Sequence, residues 1–128
     1  MPRQVIPVFF GGQIQAASRQ VDVIDVSFEA GEATTYKVQV PAATTITGFY
    51  ASVTKALAAT DSGTIQLVDQ LGNTQATITF PASSSLTTEG TQNPTPFRIP
   101  AGSFYRLTWQ KATAGGKAKV CVIRENDG

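Results

Sequence analysis

The stretch Gly63–Phe80, GTIQLVDQLGNTQATITF, constrains the chain more than any other. Ile65 and Leu67 alternate with Thr64 and Gln66, and Ala76, Ile78 and Phe80 alternate with Thr77 and Thr79. Alternation with period two puts every apolar side chain of a strand on one face and every threonine on the other. Between the runs lies Asp69-Gln70-Leu71-Gly72-Asn73, where Gly and Asn tolerate the positive φ of a tight connection. The segment therefore reads as a β-hairpin with one buried and one wet face.

The rest of the chain has the same pattern. In Gln20–Phe28, Val21 and Val23 share one parity while Ile24, Val26 and Phe28 share the other, which suggests a bulge or a strand buried on both faces. Thr35–Val40 is a strand with Tyr36, Val38 and Val40 inward, ended by Pro41, which has no N–H for a ladder. Thr45–Leu57 carries Phe49, Ala51, Val53 and Leu57 on one face, and Gly48 within it marks a bend or a close approach. Pro81–Pro96 reads as a long surface loop, pinned by Leu86. Phe97–Pro100 is a short strand. In Ser103–Gln110, Tyr105, Leu107 and Trp109 point inward, while Phe104 and Arg106 point out. Lys117–Arg124 is apolar on both faces, as a central strand would be. No segment sustains a helical period. About eight strands with a turn signal every 8–12 residues predict an all-β fold: a single antiparallel β-sandwich, jelly-roll-like, or a small barrel.

Residues 1–18 stand apart. Val5, Ile6, Val8, Phe9 and Phe10 are apolar, Pro2 and Pro7 exclude a helix, and Gly11-Gly12 loosen the chain beyond them. The segment is expected to be either an extended N-terminal arm that docks on a neighbouring subunit or an edge strand of the domain, with residues 19–128 forming the sandwich. The start lacks the long apolar region and small-residue cleavage site of a signal peptide, so the mature chain is expected to begin here.

A chain of 128 residues is long enough to bury a core as one domain. Its charged fraction is 15%, against roughly 25% in ordinary globular proteins. Thr, Ala, Gln and Ser fill the difference. Such a surface suits packing against other protein, and equally suits a solvated β-surface. The net charge of +1 gives no global field toward nucleic acid or a membrane, and neither is expected as a partner. No apolar run is long enough for a transmembrane helix. The single cysteine, Cys121, excludes an internal disulfide and is expected to act as a small buried hydrophobe.

Histidine is absent, which removes His-based acid–base catalysis, the Ser-His-Asp triad and most zinc sites. Asp22 and Asp25 have opposite parity, so they do not face one cleft as paired catalytic carboxylates must. Cys121 has no histidine to activate it, and no glycine pattern cradles phosphate. No catalytic residue, cofactor or metal is expected. Aromatic and arginine side chains are enriched at interface hot spots, which makes outward Phe104 and Arg106 candidate partner-binding residues beside Val5, Ile6, Val8, Phe9 and Phe10.

The segments VPAATTITGFYASVTKALAATDSGTIQLVDQLGNTQATITFPASSS and FRIPAGSFYRLTWQKATAGGKAKVCVIR resemble small virion proteins of tailed bacteriophages, namely capsid decoration (cement) proteins and related head-fibre modules. The likeness covers residues 38–124. It lies in the VPA-TTITG strand, the alanine-rich connector, the I-x-L-x-D-x-x-G hairpin, the I-P-A-G turn and the glycine-rich turn before a valine-rich last strand. The resemblance implies a non-enzymatic β-sandwich, often a homotrimer, made in the host cytoplasm and placed on the outer capsid surface of the virion. There it would bind the major capsid protein at capsomer junctions, with an N-terminal arm reaching to the shell. A receptor- or carbohydrate-binding module of a phage tail fibre is the competing expectation.

Overall fold

The computed structural model describes residues 19–29, 32–57, 62–109 and 115–126. The expectations for residues 1–18, including Val5, Ile6, Val8, Phe9 and Phe10, lie outside the described residues. The described chain forms β1 (Arg19–Ser27), β2 (Thr35–Gln39), β3 (Thr44–Lys55), β4 (Gly63–Val68), β5 (Thr74–Phe80), β6 (Glu89–Thr91), β7 (Phe97–Ile99), β8 (Phe104–Trp109) and β9 (Lys117–Asn126).

The strands make two antiparallel sheets. One has the order β1-β9-β3-β6, with β7 also paired to β3; the other has the order β2-β8-β4-β5. The short strands β6 and β7 lie along β3 at Tyr50–Ser52 and at Thr44–Ile46, so together they act as one interrupted strand. The pairing is then nested: first strand with last, second with second-last, third with third-last, and the middle two with each other. This nesting is a jelly roll.

The inner faces supply the core. Ile24, Val26, Ile46, Phe49, Ala51, Val53, Val120 and Val122 come from one sheet, and Ile65, Leu67, Ala76, Ile78, Phe80, Tyr105, Leu107 and Trp109 from the other. Period-two alternation puts most of these side chains inside, as the sequence predicts, while Ile46 joins Phe49 on the inner face through a register shift of β3 against β9 between Ile46 and Gly48. Trp109 also bonds the two sheets, since its indole N–H donates to the Ser27 carbonyl at 2.9 Å.

The hairpin at β4–β5 has the expected form. Asp69 organises its turn: Oδ1 accepts the N–H groups of Leu71 and Asn73, both at 2.9 Å, and Oδ2 accepts the Gln75 amide at 2.8 Å. Gly72 sits at φ 89°, a conformation glycine takes without steric cost.

Five expectations are corrected. β1 pairs with β9 without a register shift, so it has no bulge. It is buried on one face alone, with Val21 and Val23 exposed outward. Pro81–Pro96 contains β6 and is laced to β3: Val53 N–H donates to the Thr88 carbonyl, and Thr87 N–H to the Val53 carbonyl. Leu86 is exposed and pins nothing; backbone hydrogen bonds hold the segment instead. Tyr36 has the inward register, opposite buried Leu107, yet it is exposed because β2 is an edge strand. Cys121 is half-buried on the outer face of β9, between Val23 and Tyr50.

Candidate functional site

Three features are candidates: a charged cluster between the sheets, a depression on the four-stranded sheet, and the aromatic and cationic side chains beside that depression.

The cluster joins Asp22 of β1, Tyr105 of β8 and Arg124 of β9. Arg124 Nε donates to Asp22 Oδ2 at 2.8 Å, and the Tyr105 hydroxyl donates to the same oxygen. Tyr105 is fully buried and Arg124 is 8% exposed. Burial, reinforced by the bond to Asp22, pushes the Tyr105 hydroxyl far above its ordinary range. A phenol held protonated against a carboxylate already paired with a guanidinium has no proton to exchange near neutral pH. The arrangement is a clasp across the sandwich. It was invisible in the sequence because its three members lie on the first and last two strands. Asp25 points to the opposite face, as its parity predicts, and its Oδ1 lies 3.9 Å from Lys119 Nζ in solvent. Among the described residues no group of three or more His, Cys, Asp or Glu side chains could hold a metal ion.

A second exposed ion pair joins Lys55 to Glu29 at 2.5 Å. The Lys55 ammonium holds the Glu29 carboxyl below its ordinary value. Both lie near the β3 end of the sheet and close no cleft.

The outer face of the four-stranded sheet is built from Thr35, Thr108, Gln66 and Thr77, which are register partners across β2, β8, β4 and β5. Thr64, Gln66, Thr108 and Trp109 line an open depression of about 390 Å³. Trp109 contributes only its rim, because it is buried and its N–H is already bonded. Tyr105 is enclosed in the core, so neither aromatic offers a free stacking face.

Phe104 and Arg106 are brought together on this same face, one turn of the β pleat apart and half-buried. The structure adds Lys37, which sequence reasoning missed. It is the register partner of Arg106, and its Nζ stands 4.4 Å from the Phe104 ring centroid. The signal was present in the outward parity of Lys37 on its strand, but only the β2–β8 pairing says which strand lies beside Phe104. Among the described residues no acid pairs with Lys37 or Arg106. The Arg106 guanidinium reaches toward the β4–β5 turn, 4.0 Å from where a Cβ on Gly72 would stand.

No protein-family model and no curated protein matches the chain. Solved structures similar to it include the carbohydrate-binding module CsCBM6-3 of Clostridium stercorarium in complex with cellobiose, at 14% identity over 90% of this chain and 92% of that one, with a TM-score of 0.41. The chain is also similar to the VP2 protein of infectious bursal disease virus, at 13% identity over 84% of this chain and a TM-score of 0.29. It spans about a third of that protein, 33%. A third is the extra small virus particle of the giant freshwater prawn Macrobrachium rosenbergii, at 15% identity over 99% of this chain and 88% of that one, TM-score 0.33. The similarity extends to no site.

Proposed function

We propose that the chain is a structural protein of a tailed-bacteriophage virion, bound to the outer capsid surface at capsomer junctions as a homo-oligomer. It acts by contact, without catalysis. The observation that carries this reading is the face of the four-stranded sheet: an uncharged field of threonine and glutamine around Phe104, Lys37 and Arg106. Threonine and glutamine lose little on desolvation when a partner supplies matching hydrogen bonds. An aromatic ring under the Lys37 ammonium, with Arg106 on the same face and no acid among the described residues paired to either cation, is a hot spot for an acidic or carbonyl-rich protein surface. Small contacts of this kind become firm when repeated by symmetry on a shell. Residues 5–10 serve in this reading as an arm toward the major capsid protein.

The test is co-sedimentation with undecorated capsids. Phe104→Ala with Arg106→Glu is expected to weaken binding by about 30-fold, the loss of about 2 kcal/mol typical of a hot spot. Deleting residues 1–12 is expected to weaken it further with the fold intact by circular dichroism. Binding unchanged in both variants would refute the reading.

The open depression at Thr64, Gln66 and Thr108 favours a second reading, a receptor- or glycan-binding module of a tail fibre. Recognition there would rest on hydrogen bonds, because Trp109 is withheld from stacking. A glycan array that returns a ligand lost on Gln66→Ala, with no capsid binding, would put this reading first.

A further inference from the structure

The outer face of the five-stranded sheet is organised differently from the threonine-rich one. Four successive rows cross β1 and β9 in register. The end rows carry opposite charges side by side, Arg19 with Glu125 at one end and Asp25 with Lys119 at the other. The two rows between are apolar: Val21 beside Ile123, and Val23 beside Cys121, with Tyr50 of β3 continuing the second. Val21 is 49% exposed, Val23 58% and Tyr50 39%. Ile123 lies over Gly48, where any Cβ would come within 2.8 Å of its Cδ1. The band is thus continuous from β1 to β3. Single exposed apolar residues are ordinary, but a contiguous band rimmed by charge marks a contact surface.

We infer that this face binds a second copy of the chain, face to face, about a two-fold axis that lies in the interface and runs perpendicular to the strands. That rotation lays each strand on its own counterpart and reverses the order of the rows. Arg19 then meets Asp25 of the other copy, and Glu125 meets Lys119. The apolar rows meet each other, Val21 against Val23 and Ile123 against Cys121. Every charge of these four rows faces its opposite, and the contact is the same from both sides, as an isologous dimer requires. The other in-plane two-fold, along the strands, keeps the rows and lays β9 on itself, so that Glu125 meets Glu125 and Lys119 meets Lys119. Like charges placed opposite each other are unfavourable, which excludes that placement. Moved between β1 and β9, the same axis pairs Arg19 with Glu125 and Asp25 with Lys119, but Tyr50 of β3 then faces no strand, because β1 is the sheet edge. Charge and coverage of the apolar band together select the first arrangement. Stacked sheets lie about 10 Å apart, room enough for one layer of such side chains from each copy.

The patch is small. Seven residues along β1 and three strands across give about 20 by 10 Å. That is below the roughly 800 Å² per partner of a standard stable interface, so the pairing is weak in free solution. A two-fold contact pairs chains, and any three-fold assembly uses other surface. The inference goes beyond the capsid-docking reading, which uses the opposite sheet.

The experiment is sedimentation equilibrium of the full chain and of Lys119→Glu and Glu125→Lys, from about 10 µM to about 1 mM. The wild-type mass is expected to rise with concentration from 13.5 kDa toward twice that value. Either variant alone places like charges across the axis at both ends and is expected to stay at the single-chain mass. An equimolar mixture of the two variants restores opposite charges at both ends and is expected to associate again. Circular dichroism on each checks that these exposed substitutions leave the fold intact. Wild type that stays at single-chain mass would overturn the inference. So would association unaffected by Lys119→Glu, or a mixture no heavier than its components. Pairing is read without capsids and docking with them, so the failure of one leaves the other standing.

Discussion

Two carboxylates hold this structure in different ways. Burial alone would raise the Asp69 carboxyl, but hydrogen bonds from the Asn73 N–H, the Gln75 amide and the Leu71 N–H outweigh it and hold the group below its ordinary value near 3.8. The unfolded chain therefore binds this proton more tightly than the folded one. The stabilisation is fully present above the ordinary value and is lost as pH falls through the folded one. Urea midpoints measured from pH 6 downward are expected to fall below about pH 4. In Asp69→Asn, which keeps an oxygen for the two backbone donors, that part of the acid dependence is expected to disappear. Asp22 works through burial instead. Removing it strands the Arg124 guanidinium, 8% exposed, without its carboxylate. Asp22→Ala is expected to cost about 3 kcal/mol in urea unfolding. Asp22→Ala with Arg124→Met should recover part of that loss, because no unpaired charge then remains inside. A double variant as unstable as the sum of the two singles would show that the clasp is not a coupled unit.

At the scale of elements, the short strand β6 is the least predictable part of the fold. Its sequence, Glu89-Gly90-Thr91, has no apolar side chain, and nothing in its composition suggests a strand. It forms because β3 is 12 residues long and offers an open ladder edge, and because Gly90 leaves room for the opposite sheet. A Cβ on Gly90 would come 2.7 Å from Ile78 Cγ2 and 3.3 Å from Phe80 Cε1. Ile78 is β-branched and fixed in the core, so it cannot swing aside. Gly90→Ala is expected to destabilise by about 1–3 kcal/mol, with an unchanged dependence on denaturant concentration. A neutral result would mean that β6 lifts from the sheet at little cost.

At the scale of the whole molecule, the first described strand is tied to the last. Nested pairing joins Arg19 to Glu125 and makes the first strand wait for the last. Loop closure must precede the contacts that reward it, so folding is expected to be slow for a chain this size, in the range of about milliseconds to seconds. Trp109 is buried between the sheets and bonded to Ser27, so its fluorescence should report that step directly by stopped flow. Microsecond folding would indicate that the sheets form independently of the β1–β9 closure. The same nesting sends the two outer faces in different directions, one toward Phe104 and Lys37 and the other toward Val21 and Val23. The described strands thereby present two separate outer faces.

The class of fold and most of the inward set were legible without any coordinates; Tyr36 was read as inward and is exposed. Alternation with period two is a local property, so Ile65, Leu67, Ile78, Phe80, Tyr105, Leu107 and Trp109 were readable as core without knowing any partner strand. The Asp69 turn, the close approach at Gly48 and the outward placement of Phe104 and Arg106 were local in the same way. Which strands are neighbours was settled only in three dimensions, and so was everything that depends on neighbours. Val21 and Val23 alternate as well as any buried pair, and only their position on the outer face of a sheet leaves them in solvent. Lys37 meets Phe104, and Asp22 meets Arg124 and Tyr105, across separations of 67, 102 and 83 residues. No local pattern encodes such meetings, because a strand's sequence fixes which way its side chains point but not what the pairing brings beside them.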